Sequence, residues 1–242
     1  MTELTIAAPT ATVPAYLARP SGVGPWAGVV VVHDALGLSQ DIRHQADWLA
    51  GAGYLAIAPD LFARSGRMAG TLAVIRSVRA GRGRTFDEVE AARAALANDP
   101  ACTGRVGVIG FCMGGGIALA LAPDHGFEAA SANYGMLPAH PETALRTACP
   151  IVGSYGARDR TLRGAAAKLE RILTALGIDH DIREYPGAGH AFLNDHSEEK
   201  QGRVLAVMSR LMGGMGYHEA SAVDARRRIL AFFDRHLKMG AG

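Results

Sequence analysis

The chain has 242 residues, of which 49% are hydrophobic and 20% charged, with a formal net charge of +2. That length and balance describe an ordinary globular protein and exclude a disordered chain, a coiled coil and a disulfide-stapled mini-protein. So small a charge gives no argument for nucleic acid or a membrane surface, and no uncharged apolar run reaches the ~18–20 residues a membrane span needs. The opening Met-Thr-Glu has neither a basic nor an apolar stretch, so no signal peptide is expected. The cysteines are Cys102, Cys112 and Cys149. An odd number without a CxxC pair predicts reduced thiols and a cytoplasmic location.

Two short strand-like runs come first, Leu4–Ala7 and Val13–Ala18, with Pro9 and Pro14 restricting them to an edge hairpin. Ala27–His33 contains four consecutive valines, the pattern of a strand covered on both faces in a parallel sheet. Ser39 can cap a helix over Gln40–Ala52, with Ile42, Ala46 and Leu49 on one face, and Tyr54–Ala58 follows as a strand. Residues 59–84 are an excursion with a short helical middle around Leu72–Val78, and Thr85 is the expected cap of a helix to about Leu96. Strands are then predicted at Arg105–Gly110, Glu128–Asn133, Ile151–Tyr155 and His180–Tyr185, and helices at Met113–Leu121, Ala165–Leu176, Glu198–Met212 and Ser221–Leu237. Alternation of strands and helices from end to end reads as one α/β domain over 1–242 with a mainly parallel central sheet and helices on both faces. In such sheets the chemistry lies in the loops after the carboxyl ends of the strands. Asp34, Cys112, Tyr134, Asp159 and His190 stand at those places.

Gly110-Phe111-Cys112-Met113-Gly114 follows the strand Val106–Ile109 and runs straight into an apolar helix. It fits the Gly-x-nucleophile-x-Gly turn, with cysteine as nucleophile. A turn that sharp exposes the thiol and needs glycines where chains cross. The helix N-terminus beneath it favours a thiolate, and the Met113 N–H points to where an oxyanion would form. Two other readings apply to the same residues. One is a buried cysteine in a glycine-rich turn. The other is a dinucleotide-binding loop, which wants an acidic residue at the end of the next strand, where Asn133 and Tyr134 stand instead.

In this architecture the chain order is nucleophile, acid, base. After Cys112, the first strand with a carboxylate in its following loop is Ile151–Tyr155, which is followed by Asp159. The last strand is followed by Pro186-Gly187-Ala188-Gly189-His190, a loop that brings His190 to the top of the sheet. His33 is the closest rival as base, and Asp159 is equally readable as a turn cap before Thr161 or a partner for Arg160. His190, Asp195 and His196 match no standard metal-ligand spacing.

Taken together, the chain resembles the dienelactone hydrolase (carboxymethylenebutenolidase) family of the α/β-hydrolase fold. The resemblance covers nearly the full length. It rests on Gly110–Gly115 with its cysteine, on Ala58-Pro59-Asp60-Leu61-Phe62-Ala63-Arg64, on Gly187-Ala188-Gly189-His190-Ala191-Phe192, and on Ala231–Leu237. It implies that Asp34 stands where the family has a glutamate that helps activate the thiol. It also implies that the Ala35 N–H joins that of Met113 in an oxyanion hole. Family members that act on dienelactone hold its carboxylate with two arginines. Asn194 occupies one of those positions, and Arg76, Arg79, Arg82 and Arg84 are candidates for the other. Tyr134 and Asn194 are therefore candidate substrate contacts. The helical segment at about 198–218, with Val204, Met208, Leu211 and Met215 at helical spacing, looks longer than is usual in the family and reads as a packing helix, a lid or a dimer surface.

The expected activity is hydrolysis of a small ester or lactone by Cys112, His190 and Asp159 through a thioester, with neither cofactor nor metal, in a monomer or homodimer. A non-catalytic or signalling protein that binds a small molecule on the same fold is the rival, since a binding protein needs no activated thiol. An acyltransferase would need an acceptor site that the sequence does not show.

Overall fold

The computed structural model describes residues 2–196 and 214–238. Strands β1 (Thr2–Ala8) and β2 (Ala11–Ala18) form the antiparallel hairpin, and β2 pairs antiparallel with β4 (Leu55–Pro59). From there the sheet is parallel through β3 (Trp26–Val32), β5 (Cys102–Phe111), β6 (Ala130–Asn133), β7 (Ile151–Gly156) and β8 (His180–Tyr185). The order across its eight strands is β1-β2-β4-β3-β5-β6-β7-β8. Val29 to Val32 of β3 are wholly buried, as a continuous β-branched run in a sheet covered on both faces requires.

Helix α1 (Gln40–Gly51) is capped by Ser39, whose hydroxyl accepts the Ile42 N–H. The excursion holds a fuller helix than expected, α2 (Gly66–Ala80). Its inward positions include Gly70, Val74 and Ser77, whereas Met68, Leu72 and Ile75 are exposed, so apolar spacing carries little sign of its length. Helix α3 (Arg84–Ala97) begins one residue before Thr85. Gly83, at φ 120°, occupies the capping position, and Thr85 is buried inside the first turn. Helix α4 (Met113–Leu121) has its predicted bounds, α5 (Pro141–Ala144) is a single turn, and α6 (Ala165–Leu176) again has its predicted bounds. Helix α7 (Glu219–Phe233) ends in a π-helical turn at Asp234–Lys238. The expected helix at Glu198–Met212 lies outside the described residues.

Arg228 joins α7 to the edge of the sheet. Its guanidinium donates to both carboxylate oxygens and the carbonyl of Asp181 and to the Tyr185 hydroxyl on β8. No helix among the described residues is long and apolar enough to cross a membrane.

Candidate active site

The turn from β5 into α4 is built by close backbone approaches. A Cβ on Gly110 would lie 1.9 Å from the Gly114 carbonyl oxygen, and one on Gly114 would lie 2.2 Å from that of Val32. Only glycine permits this crossing. Between them Cys112 is forced to φ 55° and ψ −113°, a conformation sparsely populated for a residue with a side chain. Its N–H is satisfied by Asn133 O (3.0 Å), and its thiol is partly exposed. Met113 opens α4, where first-turn N–H groups have no acceptor within the helix. Ala35 is exposed in the turn after β3, closed by the Gly37 N–H on Asp34 O.

Asp159 follows β7 and is buried. One carboxylate oxygen accepts the N–H and hydroxyl of Thr161, and the other accepts from His190 Nδ1 at 2.5 Å. The turn-cap reading and the acid reading thus both hold for the same side chain. Burial alone would raise the Asp159 carboxyl, but the bonds from His190 and Thr161 outweigh it and hold it below the ordinary range. His190 is buried as well, and among the described residues its Nε2 has no hydrogen-bond partner other than the Cys112 thiol. Burial would lower its imidazole, yet Asp159 on one side and Cys112 on the other raise it to about 10. His33, the rival base, is engaged at both ring nitrogens: Nε2 accepts the Leu61 N–H (3.1 Å) and Nδ1 lies 2.7 Å from Asp34 O. Burial keeps it neutral.

The other expected site residues are placed differently. The Asp34 carboxylate accepts the Leu36 N–H (2.7 Å) with one oxygen and meets His196 Nε2 at 3.1 Å with the other, so no hydrogen bond joins it to the Cys112 thiol among the described residues. Asn194 is enclosed in the protein. It is fully buried, its carbonyl oxygen accepts the Tyr134 hydroxyl, and its amide donates to Asp41. Tyr134 is likewise buried, and its ring packs on the His190 ring with centroids 5.3 Å apart. The polar atoms of these two candidate substrate contacts are thus paired with one another and with Asp41. Arg76 and Arg82 are exposed, Arg84 is held by Ser65 and Glu88, and the Arg79 side chain lies outside the described structure. Within 198–218 only the last five residues are described. Gly214 O accepts the His190 N–H and His190 O accepts the Gly216 N–H, so this stretch runs strand-like beside the His190 loop. No group of three histidine, cysteine or carboxylate side chains among the described residues is arranged to hold a metal.

Residues 13–237 match the model of the Dienelactone hydrolase family. The chain belongs to the dienelactone hydrolase family. A Methylorubrum extorquens protein, provisionally named a carboxymethylenebutenolidase, is 32% identical over 80% of this chain and 72% of its own. The carboxymethylenebutenolidase of Rhodococcus opacus is 28% identical over 93% and 88%. Among solved structures, a provisionally named dienelactone hydrolase from Klebsiella pneumoniae subsp. pneumoniae is 28% identical, with a TM-score of 0.76 covering 97% of this chain and 98% of that one. The family and its α/β-hydrolase fold make the protein a dienelactone hydrolase-like enzyme acting on an ester or lactone.

The raised imidazole has a consequence for stability. A group whose pKa rises from 6.5 to about 10 on folding stabilises the fold fully below pH 6.5, and that contribution disappears as pH climbs through about 10. Thermal unfolding followed from pH 6.5 to 10 should therefore show wild type losing Tm relative to His190→Ala. Parallel curves would show that His190 is not held protonated.

Proposed function

We propose that Cys112, His190 and Asp159 act as nucleophile, base and orienting acid in hydrolysis of a small ester or lactone through a thioester. The observation that carries this reading is the Asp159–His190 contact, which leaves the buried Nε2 for the thiol of the strained turn. His190 takes the Cys112 proton, and the thiolate attacks the carbonyl carbon. The N–H groups of Met113 and Ala35 face the tetrahedral oxyanion. Collapse breaks the C–O bond, and His190 protonates the leaving alkoxide, which in a lactone stays attached as the opened ring. Water then gives a proton to His190 and adds to the thioester. Breaking the C–S bond releases the acid, and the sulfur regains its proton from His190. Asp34 supports this machinery by holding the turn that presents Ala35.

The substrate of this reading is neutral. Gripping a carboxylate well takes a charge-assisted, preferably bidentate partner, which a guanidinium supplies. Asn194 is closed off between Tyr134 and Asp41, and the Asp34 and Asp41 carboxylates are buried nearby. A turnover comparison tests both parts. Small neutral lactones and activated esters should be hydrolysed, with kcat/KM for a neutral methyl ester at least about tenfold above that for the matching free acid. Absence of turnover on all of them would favour a binding role. A strong preference for the acid would refute the neutral substrate.

A further inference from the structure

A carboxylate that plays no part in the chemistry is buried behind the site. Asp41, in the first turn of α1, is 4% exposed. One of its oxygens accepts the Asp195 N–H (2.8 Å) and a longer bond from Gln45 Nε2 (3.4 Å), and the other accepts the Asn194 side-chain amide. Gln45 in turn donates to Leu193 O (2.9 Å), and Arg226 of α7 donates to both Gln45 Oε1 and Leu193 O. Leu193 and Asp195 through their backbone and Asn194 through its side chain, directly after the His190 turn, are thus tied to α1. The tie then continues back to the base, because Asn194 accepts the hydroxyl of Tyr134 and the Tyr134 ring lies against His190 and Phe192.

Burying a carboxylate in this way is costly unless donors surround it, and here three polar groups converge on it, none of them an arginine or a lysine. The backbone carries a second sign. Among the described residues four other than glycine have positive φ, and three of them are Cys112 (55°), Tyr134 (41°) and Ala191 (58°), all around His190. Such strain persists only where the surroundings over-determine it, and it gathers at sites whose geometry matters.

We propose that Asp41 is a positioning residue for His190. It fixes the imidazole from the side opposite Asp159, through Asn194 and Tyr134 and through the Asp195 N–H. The proposal rests on the reading of His190 as the base. The groups facing His190 are Asp159, Cys112 and Tyr134; those facing Asp41 are Asn194, Asp195, Gln45, His196 and Asp34.

Asp41→Asn keeps the size of the side chain but replaces an acceptor oxygen with a donor, so the three N–H groups it holds must compete for one oxygen. On a neutral activated ester kcat should fall about ten- to a hundredfold, with KM within about threefold. The rate of Cys112 alkylation by iodoacetamide should shift its acid limb upward by about one pH unit, because a loosened imidazolium supports the thiolate less well. Loss of folded protein alone would scale the rate without moving that limb. Tyr134→Phe breaks the same chain one link on, keeping the ring. It should give a smaller effect of the same kind, and the Asp41→Asn/Tyr134→Phe pair should be no worse than Asp41→Asn. Wild-type kcat in Asp41→Asn, an unmoved alkylation profile, or single effects that multiply in the double variant would each overturn the proposal. His190→Ala separates the two levels: if it is inactive while Asp41→Asn is normal, only the positioning role fails, and if it is active the underlying reading fails.

Discussion

Cys112→Ala should lower ester hydrolysis by roughly four orders of magnitude or more, since a missing nucleophile leaves only the hole and the bound geometry to act on the substrate. The fold should survive, because alanine can occupy the left-handed turn as well as cysteine does and the thiol is partly exposed. Cys102→Ala and Cys149→Ala supply the comparison and should retain near wild-type rates. Burial raises the Cys102 thiol above its ordinary value and pushes that of Cys149 up to about 12, so neither is a thiolate near neutral pH. Alkylation should accordingly reach Cys112 first, and a substrate analogue should slow it there. Equal labelling of the three cysteines would show that the turn does not activate its thiol.

The second large effect belongs to the acid and base. His190→Ala should remove at least about three orders of magnitude of turnover, and Asp159→Asn at least about two. In Asp159→Asn the side-chain oxygen facing Thr161 is retained, so the turn persists. The other oxygen, which accepts from His190 Nδ1, is exchanged for an amide donor, which forces the wrong tautomer and leaves Nε2 protonated at the moment it must accept. Circular dichroism and thermal unfolding of the variants distinguish this from collapse of the loop. Near wild-type kcat in Asp159→Asn would show that the acid is misassigned, and Asp34 would be the next residue to replace.

What the sequence reveals and what it hides divide along the range of the interactions. The central strands, α4 and α6 are readable because local patterns create them: four valines in β3, a glycine-framed turn before α4, and an apolar stripe on α6. Asp159 and His190 are readable because each follows a recognisable strand and the chain order is restricted by topology. Helix α2 is not, since it packs through Gly70, Val74 and Ser77, while its larger apolar residues face outward. The surroundings of Asn194 are hidden for a deeper reason. Its partners Tyr134 and Asp41 lie 60 and 153 residues away, and no periodicity links them. Read alone, Asn194 is a polar residue four places after the base. Folded, it is the middle of a buried chain. The one available signal was Asp41 itself, a charged residue beside Ile42 at the start of α1, and a first-turn carboxylate has an ordinary explanation as a partner for the helix N-terminus.

The central claim is that the acyl group passes through the Cys112 sulfur. Rapid acid quenching during turnover of a slowly deacylated activated ester, followed by peptide mass mapping, tests it most directly. A burst approaching one alcohol per chain is expected, with an acyl mass on the peptide that carries Cys112, absent from Cys112→Ala. Steady hydrolysis with no burst and no adduct at Cys112, or an acyl group on another residue, would contradict it.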